Sequence, residues 1–216
     1  MPTASVCVFC GSRTGARPAY QAAAKDLGHA LAAGGWQLVY GAGDVGLMGA
    51  VARAAQAAGG ETFGVIPTHL LNREVGKTDL TRFIITETMH ERKKVMVMNA
   101  DAIVVLPGGA GSLDEFFEVL TWRQLGLHDK PIVLLDCEGF WGPLKALLHH
   151  IVDEDFADES LLDYVQSAET AEGALEILRR IDTGRMRRAG NGHLDGMTMM
   201  QRAQLLELFD LLQRGR

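Results

Sequence analysis

The chain has 216 residues, of which 47% are hydrophobic and 22% charged, a balance that excludes wholesale disorder and suits one domain or two. Its 21 Lys and Arg stand against 27 Asp and Glu, and the net charge of −6 argues against a general binder of nucleic acid or anionic membrane. No apolar run reaches the roughly 18 residues that cross a bilayer. The start, Met1-Pro2-Thr3-Ala4-Ser5, lacks the basic and apolar stretches of a signal peptide, so a cytoplasmic location is expected.

Short β-like runs alternate with longer helical segments along the chain. A strand is predicted over 5–10, a helix over 20–33, a strand over 37–40 and a helix over 47–58. Strands over 62–66 and 82–86 come next, then a helix over 89–99 and a strand over 102–106. A helix over 112–126, a strand over 131–135, a helix over 141–153, a short strand over 164–167 and a helix over 171–181 complete the series. Runs such as Ile103-Val104-Val105-Leu106 are apolar throughout, which suits parallel strands covered on both faces. The β–α–β rhythm implies an α/β doubly wound sandwich with a mainly parallel central sheet of about seven strands flanked by helices. Ligands bind such sheets outside the carboxyl ends of the strands, where the strand order reverses.

Residues 1–182 form this domain. The segment 183–195, with three Gly and three Arg, reads as a flexible connector, and 197–212 as a terminal helix. Arg185, Arg187 and Arg188 suit a solvated linker better than a phosphate or partner contact. Cys7 and Cys10 form a C-x-x-C, but with Cys137 alone elsewhere a four-thiolate zinc site is excluded. Three residues apart on a strand, the two side chains fall on opposite faces, so buried free thiols are expected. His149 and His150 are adjacent and point apart, and no H-E-x-x-H or G-x-S-x-G occurs.

Three glycine-bearing turns follow strands: Gly11 to Gly15, Gly41 to Gly49, and Pro107 to Glu115. The second holds a literal G-x-G-x-x-G. It follows the second strand, however, and Glu61 opens the next strand instead of closing it, so close helix–sheet packing is a better reading than a dinucleotide site. In the third, Pro107 ends the strand and Gly108, Gly109 and Gly111 let a phosphate approach the backbone. Ser112 is placed to cap the helix that follows, whose free amides attract an anion. No Lys follows the last glycine, so this is not a Walker loop. Asp114 and Glu115 then fall in the first turn of that helix. Two readings stand open for them: complementing the helix dipole, at about 0.3–1 kcal/mol, or acting as a charged carboxylate in catalysis.

Thr88-Met89-His90-Glu91 is a capping box and starts a helix. Arg92, Lys93 and Lys94 follow at once, and two consecutive positions are not expected to face the core together. Arg92 stands out because its planar fork holds a phosphate or carboxylate by two bonds. His90 reads as a solvated cap residue.

These residues together resemble the LONELY GUY (LOG) family of cytokinin riboside 5′-monophosphate phosphoribohydrolases. The family pattern P-G-G-x-G-T-x-x-E is met at Pro107 to Glu115 with Ser112 for Thr. G-G-G-x-x-G-L-M-G is met at Gly41 to Gly49 with Ala42 for the middle glycine. Met89-His90-Glu91-Arg92-Lys93 resembles M-H-x-R-K, and Cys10-Gly11-Ser12 the opening C-G-S turn. The resemblance covers about residues 5–182.

The resemblance implies a Rossmann-like fold, a homodimer or higher homo-oligomer, and cleavage of the N-glycosidic bond of AMP or N6-modified AMP to free base and ribose 5-phosphate. It implies no cofactor and no metal, and no nucleic-acid or membrane partner. Older descriptions of such proteins as lysine decarboxylases find no pyridoxal phosphate motif here. By motif position Arg92 and Glu115 would be catalytic. Ser12, Gly43, Glu74, Met89, Lys93, Gly108, Gly109, Ala110, Gly111, Ser112, Leu113, Asp114 and Thr121 would bind the substrate. The alternatives are a non-catalytic nucleotide or molybdenum-cofactor carrier on the same fold, and a DNA-processing protein, which the acidic balance disfavours.

Overall fold

The computed structural model describes residues 2–71 and 76–190, with side chains through Arg180. In chain order the elements are β1 (Ala4–Phe9), α1 (Pro18–Ala33), β2 (Trp36–Tyr40), α2 (Gly46–Ala57), β3 (Thr62–Pro67), β4 (Arg82–Thr86) and α3 (Met89–Met98). There follow β5 (Ala102–Val105), α4 (Ala110–Gln124), β6 (Ile132–Leu135), α5 (Gly142–Asp153), the one-turn α6 (Ser160–Asp163), β7 (Val165–Ala168) and α7 (Ala171–Gly190). All seven predicted strands form one parallel sheet, in the order β4-β3-β2-β1-β5-β6-β7. The α/β doubly wound architecture is therefore as expected.

β1 lies at the centre because its neighbours on both sides are apolar strands in matching register. Cys7 sits opposite Val39 of β2 on one side and Ile103 of β5 on the other. Alternate residues feed two separate cores. Val6, Val8, Leu38, Val104 and Leu106 pack under α1, α2 and the start of α7. Cys7, Phe9, Val65, Ile103 and Leu134 pack under α3, α4 and α5. Cys10 belongs to the first core and Cys7 to the second, so the two thiols do lie on opposite faces, free and buried.

The compact unit runs from Met1 to Leu178, and Arg179–Arg216 forms a second unit. Residues 183–190, expected as part of a connector, continue the helix of α7. Arg, Met and Ala are good helix formers, and an isolated glycine in a helix costs only about 1 kcal/mol. The expected terminal helix over 197–212 lies outside the described residues. Among the described residues no helix is long and apolar enough to cross a membrane.

α1 and α2 approach closely because small residues line their contact. At Gly28 a Cβ atom would press on the Val51 carbonyl and stand 2.9 Å from the Ala54 Cβ. Gly28→Ala should therefore destabilise the fold by about 1–3 kcal/mol through overpacking, although alanine is the better helix former. Urea denaturation of the two proteins measures the difference.

Candidate functional site

The strand order reverses between β1 and β5, so the loops leaving these two strands face each other across the switch point. Backbone pairing continues past the strand ends. The Leu106 amide donates to the Phe9 carbonyl at 2.9 Å, and the Gly11 amide to the Pro107 carbonyl at 3.1 Å. The Gly11 carbonyl in turn accepts from the Leu47 amide at 3.0 Å, which ties in the start of α2. Gly46, at φ 56°, rests directly on the Ser12–Arg13 backbone, where any Cβ would collide. The G-x-G-x-x-G turn thus spends its glycines on packing, and one of the helix's first amides is already used by the protein.

The β5–α4 turn is built differently. α4 begins at Ala110 with Gly109 as its N-cap and no side-chain cap. The expected cap, Ser112, is instead the third helical residue. It is buried, and its Oγ fills the place where a Cβ on Gly108 would stand. The helix thus starts three residues earlier than a cap at Ser112 would place it. Asp114 and Glu115 consequently lie in the second turn, beyond the reach of the dipole effect assigned to the first. At Gly109 and Gly111 nothing among the described residues beyond the glycine's own neighbours and helix lies within 4 Å of where a side-chain methyl would stand, so packing among those residues does not require either glycine. The first amides of any α-helix have no intrahelical acceptor, and those opening α4 lie in this turn.

α3 starts as predicted. Thr88 Oγ1 accepts from the Glu91 amide at 3.2 Å, and Glu91 Oε2 accepts from the Thr88 amide at 3.1 Å. The box aims Arg92 at the carboxyl ends of β2 and β3. Its Nη2 donates to the Gly41 carbonyl at 2.8 Å and its Nε to the Val65 carbonyl at 3.2 Å, while Met89 Sδ lies 3.9 Å from Nη1. Gly41 permits this approach, since a Cβ there would overlap the guanidinium.

Arg92 and Lys93 are each only 4% exposed, which corrects the expectation that consecutive residues cannot both be buried. Helix α3 has covering structure on two sides: strand-end loops on one and α4 on the other. Lys93 Nζ meets Asp114 Oδ2 at 2.9 Å and Glu118 Oε2 at 2.8 Å. Burial, the largest influence, pulls its pKa down, and the hydrogen bonds to Glu118 and Asp114 outweigh it and leave it raised. His90 is exposed, as expected.

Glu115 is half-buried on the face of α4 that turns toward β1. The buried Cys7 thiol is pushed well up first by desolvation and then by the Glu115 charge, while Lys130 and Arg92 act in the opposite direction.

The structure therefore gathers Arg92, Met89, Glu115, Ser12 and the Gly108–Ser112 turn around the carboxyl ends of β1, β2 and β5. Gly43 is buried and pairs with Gly76 in an antiparallel bridge. Leu113 is half-buried against the second core, and Asp114 is exposed on the flank beside Lys93. Thr121 stands exposed six residues beyond Glu115, roughly 9 Å farther along the helix axis. Glu74 lies outside the described residues. Glu118 was missed in the sequence; its place four residues after Asp114 and three after Glu115 was the available signal.

This is a doubly wound α/β protein whose open face lies at the switch point. A family profile described as "Possible lysine decarboxylase" matches residues 48–178. The cytokinin riboside 5′-monophosphate phosphoribohydrolase LOG3 of Arabidopsis thaliana is 40% identical over 82% of this chain and 81% of its own length. The probable cytokinin riboside 5′-monophosphate phosphoribohydrolase LOG4 of Oryza sativa subsp. japonica is 42% identical over 79% and 74%. A solved molybdenum cofactor binding protein from Rippkaea orientalis, 25% identical, superposes with a TM-score of 0.63 over 84% of this chain and 98% of that one. The chain belongs to the LOG family.

Two substitutions separate packing from ligand space. Gly111→Ala should stabilise the helix by about 0.5–1 kcal/mol and, on the phosphate-site reading proposed below, weaken AMP binding, because its methyl would enter the space at the start of α4. Thermal unfolding and isothermal titration read the two effects in one sample. Arg92→Ala should cost about 2 kcal/mol or more of stability, since the Gly41 and Val65 carbonyls lose their buried donor; denaturant unfolding measures it.

Proposed function

We propose that this protein hydrolyses the N-glycosidic bond of AMP or an N6-substituted AMP, releasing the free base and ribose 5-phosphate. Family membership and the names of its relatives support the reaction class. The observation that carries the reading is local: the start of α4, which has no side-chain cap, follows the strand at the switch point and stands one turn before Glu115.

The 5′-phosphate docks on the amides of Gly109, Ala110 and Gly111, where the helix terminus favours negative charge. Binding energy from this remote group holds the anomeric carbon near Glu115. As the glycosidic bond breaks, its electron pair leaves with the base and positive charge gathers on the sugar. The Glu115 carboxylate stabilises that charge and orients the water whose oxygen bonds to the anomeric carbon, by analogy with glycosidase carboxylates. The proton lost by the water balances the one gained by the base. Arg92, held by two backbone carbonyls, orients Glu115 or the ribose. The proposal includes a homodimer or higher assembly, supported by Ile84 and Ile85, which are exposed on the edge strand β4.

Glu115→Gln should keep the fold and most AMP binding yet lose nearly all release of ribose 5-phosphate. Undiminished adenine release by that variant would end the mechanism. AMP should also be cleaved far faster than adenosine, which lacks the group the α4 amides hold; equal rates measured side by side would refute the phosphate site.

A further inference from the structure

We propose that Glu118, acting through Lys93, is the positioning residue that sets where Glu115 stands relative to Arg92. This rests on the catalytic roles assigned above. Lys93 directly follows Arg92 on α3, and Glu118 lies three residues after Glu115 on α4. An ion pair between Lys93 and Glu118, 2.8 Å long, therefore joins the two helices one residue from Arg92 and one helical turn from Glu115, beside the Lys93–Asp114 pair. On a helix, positions three apart differ by roughly 60° in direction and 4.5 Å along the axis. Holding Glu118 consequently fixes both the rotation of α4 and its height against α3.

The two acids on Lys93 are not equal partners. The Asp114 side chain is 60% exposed, so its pair is screened by water and holds little. The Glu118 side chain is 20% exposed and its Oε2 is buried, while its Oε1 lies 3.9 Å from His90 Nδ1. The Lys93 side chain is 5% exposed, and its charge is matched by two carboxylates. A lysine in this state is a weak attractor for a phosphate and an effective strut between helices. Arg92, by contrast, is tied to β2 and β3 through backbone carbonyls, which makes α3 the fixed member of the pair.

The test compares wild type with Glu118→Ala and Glu118→Gln, measuring kcat and KM for AMP by ribose 5-phosphate release, together with unfolding temperature. Glu118→Ala should lose about tenfold to hundredfold in kcat, the scale set by misplacing a reacting group by an ångström, with KM changed by less than about twofold. Glu118→Gln, whose amide oxygen still accepts from Lys93, should recover kcat to within about fivefold of wild type. An unchanged kcat in Glu118→Ala overturns the proposal. So does a loss that the Gln variant fails to recover, or one that falls equally on KM. Failure of the wild type to release ribose 5-phosphate from AMP would refute the assigned reaction instead. Crystal structures of wild type and Glu118→Ala then decide the positioning role: a displaced Glu115 carboxylate supports it, and an unmoved one overturns it.

Discussion

A guanidinium removed from water must find acceptors, and at the carboxyl ends of β2 and β3 Arg92 finds them in the carbonyls of Gly41 and Val65. Much of the site's architecture follows from satisfying this one buried cation. It requires a residue without a side chain at Gly41, because any Cβ there would occupy the same space. It fixes the entry of α3, which the Thr88–Glu91 box has already aimed. It also turns the next residue, Lys93, toward α4, where two carboxylates receive it. A charged side chain thereby joins three strand-end elements into one rigid frame.

The three glycine turns divide the work that a single loop performs in simpler nucleotide folds. The turns after β1 and β2 bind each other through Gly11, Leu47 and Gly46, and leave little backbone free. Ala42 shows how tight this region is. It adopts φ 55°, a left-handed conformation that costs an L-residue about 1–2 kcal/mol, and the family pattern places glycine there. Its carbonyl is held by the Lys77 amide at 2.8 Å, and its methyl fits because Gly64 stands opposite without one. The turn after β5 is the exception, with two glycines that no packing among the described residues requires. Space left open at that position is what a ligand needs.

The scaffold does not select the chemistry. The same sheet and layers appear in a molybdenum cofactor binding protein, and a shared fold carries many functions. In this chain a half-buried carboxylate follows one turn after a helix start without a side-chain cap, and a buried guanidinium lies at the ends of β2 and β3. Either group alone has a plain structural explanation.

Much of the fold was legible from local pattern. Continuous apolar runs such as Ile103 to Leu106 identified buried parallel strands, the capping box placed the start of α3 at its observed residue, and the three-residue spacing of Cys7 and Cys10 assigned them to opposite faces. Such signals are local because helix and strand periods, and caps, depend on residues a few positions apart. The start of α4, the joint burial of Arg92 and Lys93, and the place of Glu118 were not legible. The last two depend on contacts between segments distant in the chain, Arg92 with Gly41 and Val65 and Lys93 with Glu118, and the first on the packing of Ser112 against Gly108. Periodicity supposes that a helix has one buried face, whereas α3 is enclosed on two. Only the folded sheet, by bringing β2, β3 and α4 around that helix, decides which of its charges are solvated and which are built into the site.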